Sequence, residues 1–159
     1  VAEKCRDIGI SVAADTSGFG KYDDLLALAE ISDVILYDLK HMDSETHKTL
    51  TGQYPEIIWD NLIRLAEDPD INRKIIIRGP FIHPLNDSVE NTDALCKFMK
   101  QHDLKTVNFL PYHSMGISKA REVDIIQEEY AEPSEDTLIY VRQKFEENGI
   151  NVTIMGKES

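Results

Sequence analysis

Two rhythms of apolar residues alternate along the chain. Short unbroken runs occupy residues 10–14 (ISVAA), 34–37 (VILY), 74–80 (KIIIRGP), 106–113 (TVNFLPYH) and 150–155 (INVTIM). Between them, residues suited to burial fall three and four apart: Leu25, Leu28 and Ala29; Ile58, Leu62 and Leu65; Val89, Thr92, Cys96 and Met99; Leu138, Val141 and Phe145. Unbroken runs bounded by turn residues predict strands, and the three-and-four spacing predicts helices with one buried stripe. The punctuation agrees. Residues 1–8 read as the tail of a helix with Ala2, Cys5 and Ile8 on one side, and Gly9 suits its left-handed end. Pro55 suits a first helical position, Ser88 or Asp87 and then Ser134 suit N-caps, and Gly149 stands past the last helix.

Five strands alternating with about four full helices define βαβ units and a mainly parallel sheet. The strands are almost continuously apolar, as expected of parallel strands covered on both faces. No linker, repeat or low-complexity tract interrupts the 159 residues, so residues 1–159 read as a single α/β domain. The longest irregular stretch runs from residue 113 to about residue 133. Two architectures compete, a flavodoxin-like open sheet and a partial (βα) TIM-type barrel. No glycine-rich phosphate loop follows any strand, and residues 16–20 (TSGFG) are too few for a dinucleotide fingerprint. A complete eight-stranded barrel takes at least about 200 residues. A partial barrel with a sheet of about five strands is the expectation.

Composition changes this picture little. The formal net charge of −12 argues against a nucleic-acid partner, which would ask for a basic stripe. Two isolated cysteines, Cys5 and Cys96, offer neither a disulfide framework nor a zinc knuckle and fit a reducing cytoplasm. No run approaches the roughly 18 apolar residues of a membrane span. His41, His47, His83 and His102 share no metal-ligand spacing and read as surface or loop residues.

The chemistry lies at the strand ends. Strand one closes on Asp15 and Thr16, strand two on Asp38 with Lys40 two residues on, strand three on Arg78, strand four on Tyr112 and His113. Parallel α/β folds bind ligands at the carboxyl ends of their strands. Together these residues could hold a zwitterionic or polyhydroxylated ligand, the bases taking a carboxylate and the aspartates an ammonium, ribose hydroxyls or a cation. Each charge alone could equally be a solvated strand end, and Asp38 with Lys40 a surface ion pair worth about 0–1 kcal/mol.

Five motifs occur in order: DTSGF (15–19), DVILYDLKHMD (33–43), HKTLTG (47–52), RGPFIHPLND (78–87) and NFLPYHSMG (108–116). The chain from Cys5 onward resembles the glycyl-radical-enzyme activating enzymes, the pyruvate formate-lyase activase group of the radical S-adenosylmethionine superfamily. That resemblance implies a partial barrel carrying a 4Fe-4S cluster and S-adenosylmethionine. Reductive cleavage of the sulfonium would yield a radical that takes hydrogen from a glycine of a partner enzyme. It implies further that Asp15, Asp38, Lys40 and His113 surround S-adenosylmethionine, that Arg78 faces the same cavity, and that Asp15, Thr16 and Asp38 hold a monovalent cation. The implied partners are a glycyl-radical enzyme and a flavodoxin or ferredoxin donor. The family's three-cysteine cluster motif has no counterpart in these residues, since three thiolates must converge on one cluster and the chain has two. The expectation is therefore the C-terminal two-thirds of an activase without its cluster ligands, inactive by itself.

Two rivals remain open. One is a non-catalytic barrel fragment that binds an adenosine-containing ligand or a cation. The other is a barrel enzyme with Lys40 as Schiff-base nucleophile, which Asp38 would oppose by keeping the amine protonated. Finally, an unpaired strand at residues 10–14 would be a pairing edge, so a dimer or another covering chain is expected.

Overall fold

The computed structural model describes residues 2–112 and 130–156. In chain order the elements are α1 (Ala2–Asp7), β1 (Ala13–Thr16), α2 (Tyr22–Ile31), β2 (Val34–Asp38), α3 (Ser44–Thr51), α4 (Glu56–Ala66), α5 (Pro69–Asn72), β3 (Ile75–Phe81), α6 (Val89–Gln101), β4 (Thr106–Pro111), α7 (Glu135–Glu147) and β5 (Asn151–Ile154). The five strands form one parallel sheet in the order β1-β2-β3-β4-β5. This order separates the two architectures. A doubly wound sheet reverses direction at a switch point, whereas here every crossover steps the same way. Right-handed crossovers that all step one way place their helices on one face, which is the construction of a barrel sector.

Burial follows from that. Ile35, Tyr37, Ile75, Ile77, Phe81, Val107 and Phe109 share one face of the sheet and pack with Leu62, Leu65, Met99, Val141 and Phe145 of the helices in a single core. The intervening residues, Val34, Leu36, Ile76 and Leu110 among them, are only half-buried. Among the described residues, helices pack on the first face only, and the apolar strand residues of the second, concave face stay half-buried.

The serine N-caps are those the sequence announced, while Pro55 stands at the N-cap of α4 and not at its first helical position. Ser88 Oγ accepts from the Asn91 N–H and Ser134 Oγ from the Thr137 N–H, each at 3.2 Å. Two strand limits differ. β1 begins at Ala13, not Ile10, because Ile10 belongs to the end of α1. Gly9 takes the left-handed conformation (φ 77°), and the Ile10 N–H returns to the Cys5 carbonyl at 2.9 Å, closing a Schellman motif. Secondly, β3 runs through Gly79 and Pro80 to Phe81 instead of stopping there. Its pairing with β2 ends at Arg78, so the N–H that Pro80 lacks has no strand waiting for it.

Candidate functional site

Three adjacent strands end in a continuous chain of charge. Asp38 and Arg78 are register partners on β2 and β3, and Asp15 lies on β1 opposite Leu36, so all three sit on the concave face. Arg78 Nη2 donates to both oxygens of Asp15, at 2.9 and 2.7 Å, while its Nε donates to Asp38 Oδ1 at 3.1 Å. Lys40 Nζ then donates to Asp38 Oδ2 at 2.8 Å. The order Lys40–Asp38–Arg78–Asp15 alternates in sign, and each carboxylate oxygen has a cation. Exposure of the side chains rises from 17% at Asp38 and 24% at Arg78 to 54% at Asp15, so the middle of the chain is the better shielded part. Burial works against the Arg78 charge, but the hydrogen bonds and attraction of Asp38 and Asp15 prevail and raise its pKa.

The loops carrying these residues are tied down by buried amides that sequence reading passed over. Asn61 Nδ2 donates to the Gly18 and Gly20 carbonyls at 2.9 and 3.0 Å, holding the loop after β1 against α4. Asn86 Nδ2 donates to the Lys40 and Pro80 carbonyls at 3.1 and 2.7 Å, and its Oδ1 accepts from the Ile82 N–H at 2.8 Å. Asn91 adds a bond from the Met42 N–H and donates to the Asn86 carbonyl, both at 2.8 Å. A signal for the first was present: Asn61 stands inside the stripe of Ile58, Leu62 and Leu65, where a polar residue must find a partner. Below the rim, buried Tyr37 donates its hydroxyl to the Ile58 carbonyl at 2.8 Å, and burial raises the pKa of that phenol.

A cavity of about 250 Å³ opens beside Asp38 and Lys40, walled also by Ser17 and Phe19 after β1, His47, Thr51 and Gln53 of the α3 region, and Ile58. His47, expected on the surface, is in fact 3% exposed. Its Nδ1 lies 2.8 Å from the Gln53 carbonyl.

Of the expected site residues, Asp15, Asp38, Lys40 and Arg78 are brought together. His113 lies outside the described residues. Thr16 pairs with Tyr37, on the helix-covered face, and its Oγ1 accepts from the Gly18 N–H at 3.0 Å. Lys40 is ion-paired with Asp38. Cys5 is half-buried on α1, and Cys96 is buried on α6 with its thiol toward the Lys144 carbonyl. Among the described residues, no group of three or more His, Cys, Asp or Glu could hold a metal ion. No helix among them is long and apolar enough to cross a membrane.

Fold and rim define a class, the parallel barrel sector with its ligand side at the strand ends. No family model matches the chain, but individual proteins do. It is 32% identical to the trans-4-hydroxy-L-proline dehydratase activating enzyme of Clostridioides difficile over 160 residues, covering 98% of this chain and 52% of that protein. It is 36% identical over 116 residues to the 4-hydroxyphenylacetate decarboxylase activating enzyme of Clostridioides difficile strain CD196, covering 73% of this chain and 36% of that protein. The pyruvate formate-lyase-activating enzyme of Clostridium pasteurianum is 31% identical over 126 residues, 79% of this chain and 51% of that protein. The crystal structure of a domain of pyruvate-formate lyase-activating enzyme from Bacteroides vulgatus superposes with a TM-score of 0.79 at 26% identity, covering 98% of this chain and 87% of that one. The chain belongs to the glycyl-radical-enzyme activating enzymes, the group that includes pyruvate formate-lyase activating enzyme. It spans between 36% and 52% of the length of the three curated relatives.

Proposed function

We propose that this chain supplies the part of an activating enzyme that holds S-adenosylmethionine. The complete protein would generate a glycyl radical on a partner enzyme of the pyruvate formate-lyase kind. The observation that carries this is the Lys40–Asp38–Arg78–Asp15 chain, two acids and two bases in alternation at neighbouring strand ends. S-adenosylmethionine ends in an ammonium and a carboxylate, and the rim offers both complements within one mouth. Asp38 and Asp15 would take the ammonium, Lys40 and Arg78 the carboxylate, each new contact replacing an existing ion pair. His113 would join them by family resemblance. A monovalent cation would find carboxylate oxygens at Asp15 and Asp38, whereas the Thr16 side chain lies on the helix-covered face, away from them.

When bound, S-adenosylmethionine supplies a sulfonium that reductive cleavage turns into the hydrogen-abstracting group. The residues of this chain bind and orient it. A 4Fe-4S cluster does not fit the described residues, whose two thiols stand on separate helices, Cys96 turned into the core. The electron donor would be a flavodoxin or ferredoxin, and the setting the cytoplasm, in keeping with two free thiols.

The test is binding by the chain and turnover by the complete gene product. Asp38→Asn and Lys40→Ala should each weaken S-adenosylmethionine binding by about 10- to 100-fold, the worth of a charge-assisted hydrogen bond. After anaerobic reconstitution of the complete product, both should lower 5′-deoxyadenosine formation. Unchanged affinity in both variants would refute the rim assignment. Binding without 5′-deoxyadenosine formation by the reconstituted complete product would favour the second reading, a barrel fragment that binds an adenosine-containing ligand or a cation.

A further inference from the structure

Lys40 stands just past the point where the sheet holds β2. Asp38 is the last residue of β2 in register with β3, and the Leu39 N–H still reaches the Arg78 carbonyl at 2.9 Å. Lys40 comes one residue later, with its side chain 36% exposed, yet its ammonium meets Asp38 Oδ2 at 2.8 Å. A lysine has many rotamers to give up, so the pairing of a partly exposed ammonium depends on where its main chain is fixed.

The Lys40 main chain is fixed by Asn86. This residue is 6% exposed, and all of its polar atoms are engaged. Nδ2 donates to the Lys40 and Pro80 carbonyls at 3.1 and 2.7 Å, and Oδ1 accepts from the Ile82 N–H at 2.8 Å. Its own N–H donates to the Ile82 carbonyl at 3.1 Å, and its carbonyl accepts from Asn91 Nδ2 at 2.8 Å. Asn91 Oδ1 in turn accepts from the Met42 N–H at 2.8 Å. The loop after β2 is thus held from the side of α6. Gly79 lets it lie this close to β3, since a Cβ there would stand 2.8 Å from the Leu39 carbonyl. Two carbonyls ask for donors and one N–H for an acceptor, which an amide supplies and a carboxylate or an ammonium does not.

We propose that Asn86 is a positioning residue for the rim. By joining the ends of β2 and β3 through the Lys40 and Pro80 carbonyls, it sets the Lys40 main chain so that the ammonium is presented at Asp38. Its effect on a ligand is exercised through Lys40. This inference rests on reading the rim as the S-adenosylmethionine site, whose carboxylate would then meet a lysine already in place.

The experiment uses the chain labelled at its lysine side-chain nitrogens and followed by nitrogen NMR, the Lys40 signal being assigned by its loss in Lys40→Ala. Asn86→Ala should move the Lys40 ammonium signal toward that of an unpaired lysine and leave the Lys144 signal in place. Lys144 pairs at 2.8 Å with Asp93 of α6, the helix that follows Asn86, so a general loosening would move both signals. In calorimetric titration, Asn86→Ala should weaken S-adenosylmethionine binding about tenfold in the parent chain and by less than about twofold in the Lys40→Ala background. A merely structural asparagine would cost the same in both. Should Asn86→Ala fail to fold, Asn91→Ala, which removes the support behind Asn86 and the partner of the Met42 N–H, should move the Lys40 signal in the same direction by less. An unmoved Lys40 signal in the variant that folds, joint movement of Lys40 and Lys144, or equal losses of affinity in both backgrounds overturns the proposal. A parent chain that binds no S-adenosylmethionine counts against the rim reading, while the Lys40 signal, read without ligand, still decides the role of Asn86.

Discussion

Gly18 sits where two demands meet. Its φ of 71° is a conformation that side chains other than glycine's rarely adopt, and a Cβ built on it would lie 1.7 Å from the Tyr37 hydroxyl oxygen. That hydroxyl is fixed by the Ile58 carbonyl and cannot step aside without losing a buried bond. Gly18→Ala should therefore cost about 2–4 kcal/mol, read as a fall in the urea midpoint at unchanged slope. An unchanged midpoint would mean that the loop after β1 can be rebuilt without Tyr37. The rim residues were legible in the sequence because each is a charge placed where an apolar run ends. His47 was not. Its burial depends on α3 turning back at Gly52 so that the Gln53 carbonyl meets the ring, and no spacing in HKTLTG records that closure.

At the scale of elements, α6 and α7 are joined by one carboxylate. Asp93 Oδ1 accepts from the Tyr140 hydroxyl at 2.6 Å and from Lys144 Nζ at 2.8 Å. The Lys144 and Tyr140 hydrogen bonds hold the Asp93 carboxyl below its ordinary pKa. The folded chain thus binds the Asp93 proton less readily than the unfolded one. The contribution to stability is complete above the unfolded value of about 4 and disappears as pH falls through the lower folded value. Asp93→Asn should lower the thermal midpoint by a few degrees at most at pH 7, since the pair is exposed. The gap from the parent chain should close below about pH 4, and a gap that persists there would place the effect in packing instead. Helix caps and stripes on these elements were readable from single residues, such as Ser88 and Ser134. The start of β1 was not, because Ile10 has the chemistry of a strand residue and only the hydrogen bond to Cys5 commits it to the helix end.

For the whole molecule, the sheet order leaves β1 at one edge, with Ile8 at 74% and Ile10 at 53% exposure just before it. Unpaired strand edges flanked by apolar side chains attract further strands. The 159-residue chain should associate in solution, and Ile10→Lys should shift it toward monomer in light scattering; a monodisperse parent monomer would contradict this. The parallel order was legible from alternating runs and stripes. The half-burial of Val34, Leu36 and Ile76 on the concave face was not, since they look the same in sequence whether one layer or two covers them. The Lys40–Asp38–Arg78–Asp15 chain has one more implication. Four charges that cancel among themselves cast little field into solution, within a molecule of net charge −12. The ammonium and carboxylate of a ligand arriving there would not be drawn in from afar by the rim itself. They would enter as a dancer cuts into a line, each hand released only as another is taken, so that fit at short range would decide admission.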